Sequence, residues 1–125
     1  MELMEAVDIK TRIEHIIAIL EIKYIDPERV FCFRSHKSKA NARARIWSMP
    51  RIWQMALKIK SCYVIEVLSE KFDNISYDDQ TKVLIHELLH IPKTFSGALR
   101  PHNGRYITVG HREVEKLYKL FKKNL

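Results

Sequence analysis

Residues 76–92, SYDDQTKVLIHELLHIP, constrain the fold more than any other stretch of this chain. Ser76 has the chemistry of a helix N-cap, and Asp78 and Asp79 suit the positive end of a helix. Pro92 closes the segment. Between these ends, Leu84, Ile85, Leu88, Leu89 and Ile91 make the helix apolar almost all round, so the spacing predicts a buried helix around which the chain must wrap. Its polar window is mainly His86, Glu87 and His90. Burying three such groups is costly unless they meet a metal ion or one another.

His86-Glu87-Leu88-Leu89-His90 is an HExxH sequence. Helical spacing puts the two imidazoles one turn apart on one face, where both reach a single ion. Glu87 lies beside them and is placed to take a proton from a water on that ion. The pattern predicts a Zn2+ site, and a catalytic zinc needs a third protein ligand and one open position. Metzincin spacing is excluded, because Lys93 and Ser96 stand where it requires Gly and His. His102 is the first candidate, within a Gly-bounded loop that can fold back on the helix. His111 and Glu113, at the start of the next helical segment, are the others. Tyr106, Arg100 and His111 are candidate stabilisers of a tetrahedral oxyanion.

The rest of the chain supplies supports. Residues 5–24 carry Ala6, Ile9, Ile13, Ile16, Ile17, Leu20 and Tyr24 at helical spacing, with Asp26-Pro27 as the expected stop. Val30–Phe33 and Cys62–Leu68 read as strands. Residues 40–47 fit a strand or a helix. Pro50 opens a helix through RIWQMALKI, with Ile52, Met55, Ala56 and Ile59 expected on its buried side. Residues 105–109 allow a short strand, and 111–123 form an amphipathic helix with Val114, Leu117 and Phe121 inward. With 125 residues, one domain spanning 1–125 is expected. Its class is α+β: a minimal zincin-like unit with a small twisted sheet, an N-terminal support helix, the motif helix and a C-terminal helix.

Charge adds a second signal. The net charge is +7, but it is distributed in blocks. From Arg29 to Ile65 there are nine basic residues and no acid, whereas residues 1–28 and 66–92 together hold 5 basic and 13 acidic ones. The basic block includes Arg34, Lys37, Lys39, Arg43, Arg45 and Arg51, interleaved with Phe31, Phe33, Trp47, Trp53 and Tyr63. Two readings compete: a nucleic-acid or acidic-substrate patch, or a solvated basic face whose aromatics pack the core. No apolar run approaches the ~20 residues of a membrane helix, so no membrane partner is expected. The acidic N-terminus lacks signal-peptide character, and Cys32 and Cys62 form no CxxC pair. A reduced, cytoplasmic setting follows as an expectation. Both cysteines read as small apolar residues in strands.

The stretch HELLHIPKTFSGALRPH resembles small metallopeptidases of archaea and phages, zincins distantly similar to the SprT-like group. The resemblance extends back over ARIWSMPRIWQMAL and YVIEVLSEKFDNIS, and so covers most of residues 40–120. It implies a zinc-dependent peptidase with His86, His90 and His102 as metal ligands and Glu87 as general base. In many phage relatives the LRPH histidine leads directly into a helix. Here residues 103–110 intervene, and Gly110-His111 precedes the helix. SprT-like proteins place a ligand His after Gly at such a point, which keeps His111 as an alternative. The competing functional class is a zinc-containing module without peptidase activity, either nucleic-acid-associated or latent behind residues 93–110.

Overall fold

The computed structural model describes residues 1–101 and 109–125. It is an α+β structure with a four-stranded sheet in the order β1-β2-β4-β3. The strands are β1 (Glu2–Glu5), β2 (Val30–His36), β3 (Ala44–Trp47) and β4 (Tyr63–Leu68). Around them lie α1 (Val7–Ile19), α2 (Arg51–Leu57), α3 (Ser69–Phe72), α4 (Tyr77–Leu89) and α5 (His111–Lys123). β2 and β4 pair in parallel at the centre, from Val30 opposite Tyr63 to Ser35 opposite Leu68. β1 and β3 are antiparallel edges. The α+β zincin-like expectation is compatible with this arrangement.

The core forms on one face of the sheet. α1 turns Ile9, Ile13, Ile16 and Ile17 inward, against Val30 and Cys32 of β2 and Tyr63, Ile65 and Val67 of β4. Leu84, Ile85 and Leu88 of α4 join them, as do Val114 and Phe121 of α5, with Leu117 partly buried. Each such side chain contributes roughly 1.5–3 kcal/mol by leaving water. Cys32 belongs to this core, and burial pushes its thiol up to about 12, which suits a packing role.

Several local expectations need correction. The helix expected from residue 5 begins at Val7, and Glu2–Glu5 form a strand before it, with the Ala6 amide donating to the Cys32 carbonyl at 3.0 Å. Helix α1 stops before Asp26-Pro27. Glu21 takes a left-handed φ of 52°, and the Glu21 and Ile22 amides return to the carbonyls of Ala18 and Ile17, closing a Schellman-type end. Asp26 instead caps the short 3-10 turn Pro27–Arg29 by accepting the Glu28 amide. The strand expected at Val30–Phe33 runs on to His36, because β1 and β4 flank it on both sides.

The largest correction concerns α2. No residue of this helix is buried, and Ile52, Met55 and Ile59 are 68%, 63% and 44% exposed. The helix is held instead by its one polar anchor, Gln54, whose amide donates to the carbonyls of Met49 and Ser96. The aromatic residues of the basic block divide likewise. Tyr63 is in the core, while Phe31, Trp47 and Trp53 stand about half in solvent.

Candidate metal centre

Helix α4 is fixed at both ends. At its start, the Ser76 hydroxyl accepts the Asp79 amide at 3.1 Å, as the cap pattern predicts. Arg12 of α1 reaches across to the same turn. Its guanidinium donates to Gln80 at 2.7 Å and Thr81 at 2.8 Å and lies 3.8 Å over the Tyr77 ring. Beyond the end of α4, the chain turns back through Phe95–Pro101. Gly97, at φ 96°, is packed so close to the Met49 carbonyl that a Cβ would sit 2.3 Å from its oxygen.

This frame brings together His86, Glu87 and His90, whose ligand atoms all lie within 4.8 Å of one another. The two imidazole Nε2 atoms are 3.2 Å apart. Two nitrogens bound tetrahedrally at the usual Zn–N length would be separated by about 3.3 Å, so the pair fits one ion. The chemistry of the second imidazole points the same way. His90 Nδ1 faces the Arg100 carbonyl and, assigned as the N–H, donates to it, which makes Nε2 the lone-pair nitrogen. Glu87 and His90 are buried and His86 half-buried. Burial pushes the Glu87 carboxyl up to about 7.

Arg100 is the residue whose role the sequence concealed. Its amide donates to the His90 carbonyl at 2.7 Å, and its guanidinium to the Leu89 carbonyl at 3.0 Å and to Glu113 at 3.2 Å. One residue therefore ties the returning loop to the end of α4 and to α5, while its own carbonyl orients His90. The signal available in the sequence was a lone arginine ten residues after the second motif histidine. The guanidinium considered for an oxyanion is engaged in this latch.

The other candidates are dispersed. His111 opens α5 with its side chain 89% exposed, its Nε2 being 3.9 Å from Glu115. It lines the same cleft but stands outside the three-residue cluster. Glu113 is the partner of Arg100. His102 and Tyr106, and most of the strand considered at 105–109, lie outside the described residues. The six basic residues singled out do not share one environment. Arg34 pairs with Asp8 and Asp73, Arg45 with Glu66, and Lys37 with Glu2. Arg43 lines the cleft, while Lys39 is exposed in the loop after β2 and Arg51 is exposed at the start of α2.

The cluster sits in a cleft of about 880 Å³. One wall is edge strand β3 with residues 42–46; the other is built from Lys82, Val83 and the α5 residues Val114 and Glu115. β3 is locked to the central sheet by a pair that sequence reasoning missed. Buried Glu66 accepts from Arg45 at 2.9 Å and from Trp47 at 3.0 Å. Burial alone would raise the Glu66 carboxyl, but the hydrogen bonds outweigh it and hold the group below its usual range. An acid in the middle of the apolar strand YVIEVL was the sequence signal.

No helix among the described residues is long and apolar enough to cross a membrane. No curated protein and no solved structure matches this chain. A family model described as "putative phage metallopeptidase" matches residues 1–122. A match over nearly the whole chain, with a His–Glu–His group in its cleft that could hold a metal ion, places this protein in that phage metallopeptidase family.

Proposed function

We propose that this metallopeptidase uses zinc, and that Glu87 is its general base. The observation that carries the reading is the His86–Glu87–His90 cluster, with its 3.2 Å Nε2 pair, on the floor of a cleft bordered by an edge strand. His86 and His90 would hold the ion through Nε2. His102 is proposed as the third ligand. What supports this is that Arg100, two residues earlier in the sequence, is hydrogen-bonded to His90, and two residues span at most about 7 Å. When bound, zinc supplies Lewis acidity toward a carbonyl and lowers the pKa of water.

The chain's own residues account for the remaining work. Glu87, buried beside the two imidazoles, would take a proton from the attacking water and return it to the leaving amine. The Arg100 carbonyl holds the His90 ring in one tautomer. β3, an edge strand among the described residues, would offer backbone donors and acceptors to an extended peptide along the cleft.

The test is metal analysis and proteolysis of wild type beside Glu87→Gln. The variant should retain one zinc and lose about 10³-fold in turnover. Equal cleavage by both proteins would reject the mechanism. His102→Ala should lose the metal; if His111→Ala loses it instead, the third ligand is His111.

A further inference from the structure

Helix α2 is built inside out. At the helical repeat, Ile52, Trp53, Met55, Ala56 and Leu57 cover about 200° of its circumference. That arc faces solvent: Ile52 is 68%, Trp53 57%, Met55 63% and Leu57 55% exposed. The opposite side carries Gln54, which is bonded to the protein through Met49 and Ser96. A soluble helix ordinarily reverses this arrangement. In sequence the helix is flanked by basic residues, Arg51 at its start and Lys58 and Lys60 after its end, all exposed, and no acid occurs from Arg29 to Ile65.

The position of α2 relates it to the cleft. Ile46 of β3 is in the cleft wall, and Pro50, the cap of α2, follows four residues later. Four residues span at most about 14 Å. A peptide that runs along β3 and continues past Trp47 therefore reaches α2 within a few residues. The loop that follows the motif helix also braces the base of α2, through the Met49 amide on the Gly97 carbonyl at 2.9 Å.

We propose that α2 is an exosite for the protein substrate: it binds an apolar segment, flanked by acidic residues, that lies beyond the stretch paired with β3. This inference rests on the peptidase reading above. Charge complementarity selects the occupant. A second copy docking through the same face would set Arg51, Lys58 and Lys60 against themselves, which like-charge repulsion opposes. The preferred substrates are thus unfolded or loosely structured chains that combine exposed apolar and acidic residues.

The experiment measures binding in the Glu87→Gln background, so that no probe is consumed. The probes are reduced, carboxymethylated α-lactalbumin and a synthetic peptide only long enough to cover β3. Trp53→Ser with Met55→Ser should weaken binding of the long chain about tenfold or more, and that of the short peptide less than twofold. Both side chains are solvent-exposed, and an unchanged thermal midpoint confirms the fold. Arg51→Glu with Lys58→Glu should weaken the long chain too, and flatten its salt dependence. Equal binding of the long chain by parent and variant overturns the proposal. So does an apolar-face effect seen only on phosphatidylserine-containing vesicles, or only on self-association. Cleavage by the protein with Glu87 intact is scored separately: no cleavage of either probe rejects the peptidase reading, while the binding comparison still decides the apolar face.

Discussion

Helices α4 and α2 are both rich in apolar residues, yet one forms the centre of the molecule and the other its surface. In α4, Leu84, Ile85 and Leu88 are at most 1% exposed. In α2, none of the residues is buried. Local apolar content is therefore a poor guide to burial. What separates the two is length and polar anchoring. α4 runs 13 residues, and its apolar second half meets α1, the sheet and α5. α2 runs 7 residues, and its single anchored side chain, Gln54, holds the polar side inward. Three apolar positions at helical spacing identify a face; they do not say whether that face looks at a core or at water.

The largest expected difference between these helices is in stability. Ile85→Ala should cost about 2–5 kcal/mol, through lost transfer energy and a residual cavity. Denaturant unfolding measures it, and a cost under about 1 kcal/mol would show that α4 is not the centre of the core. Next is the latch at the end of α4. Arg100→Ala should weaken metal binding about 10- to 100-fold, read by competition with a chromophoric chelator, because the loop whose carbonyl orients the His90 ring loses its guanidinium ties to Leu89 and Glu113. Arg100→Lys should recover only part of this, since a lysine cannot reach the Leu89 carbonyl and Glu113 together in fork geometry. Unchanged affinity in both variants would assign Arg100 to loop packing alone.

A smaller effect should appear with pH, at the buried acid of β4 that holds β3 in place. The Glu66 carboxyl is held below its usual value in the folded protein. Its contribution is therefore fully present above the unfolded carboxylate range, about pH 4.3, and is lost as pH falls through the lower folded value. Asp8, held down chiefly by its hydrogen bond from Arg34, acts in the same direction. Urea midpoints from neutral to acid pH should fall in wild type. In Glu66→Gln they should start lower and fall less steeply; parallel curves would remove Glu66 from the acid limb. The smallest effect closes the comparison. Ile52→Ala on α2 should change stability by about 0.5 kcal/mol or less. A cost near that of Ile85→Ala would show that the exposed face of α2 is covered in solution.

Much of the site was legible because its signals are local. The Ser76 cap, the apolar run and the HELLH spacing all act within one helix, and the structure finds each where residue spacing puts it. Helix α5 was legible for the same reason, with Val114 and Phe121 inward. Less was legible where a partner distant in the chain decides the outcome. Residues 40–47 fitted two conformations until pairing with β4 made Ala44–Trp47 an edge strand. The segment Glu2–Glu5, exposed throughout, is a strand only because β2 is beside it.

By itself, then, the sequence determined the motif helix, its caps, the His–Glu–His window and the amphipathic C-terminal helix, since helical periodicity and capping depend on neighbours three or four residues away. The tertiary structure decided which strand edges the cleft, that α2 shows its apolar side to water, and that the Arg100 carbonyl aims His90. Those outcomes depend on strand pairing, burial and hydrogen bonds between residues far apart in the chain. Residue order reveals such contacts only once the chain has closed on itself.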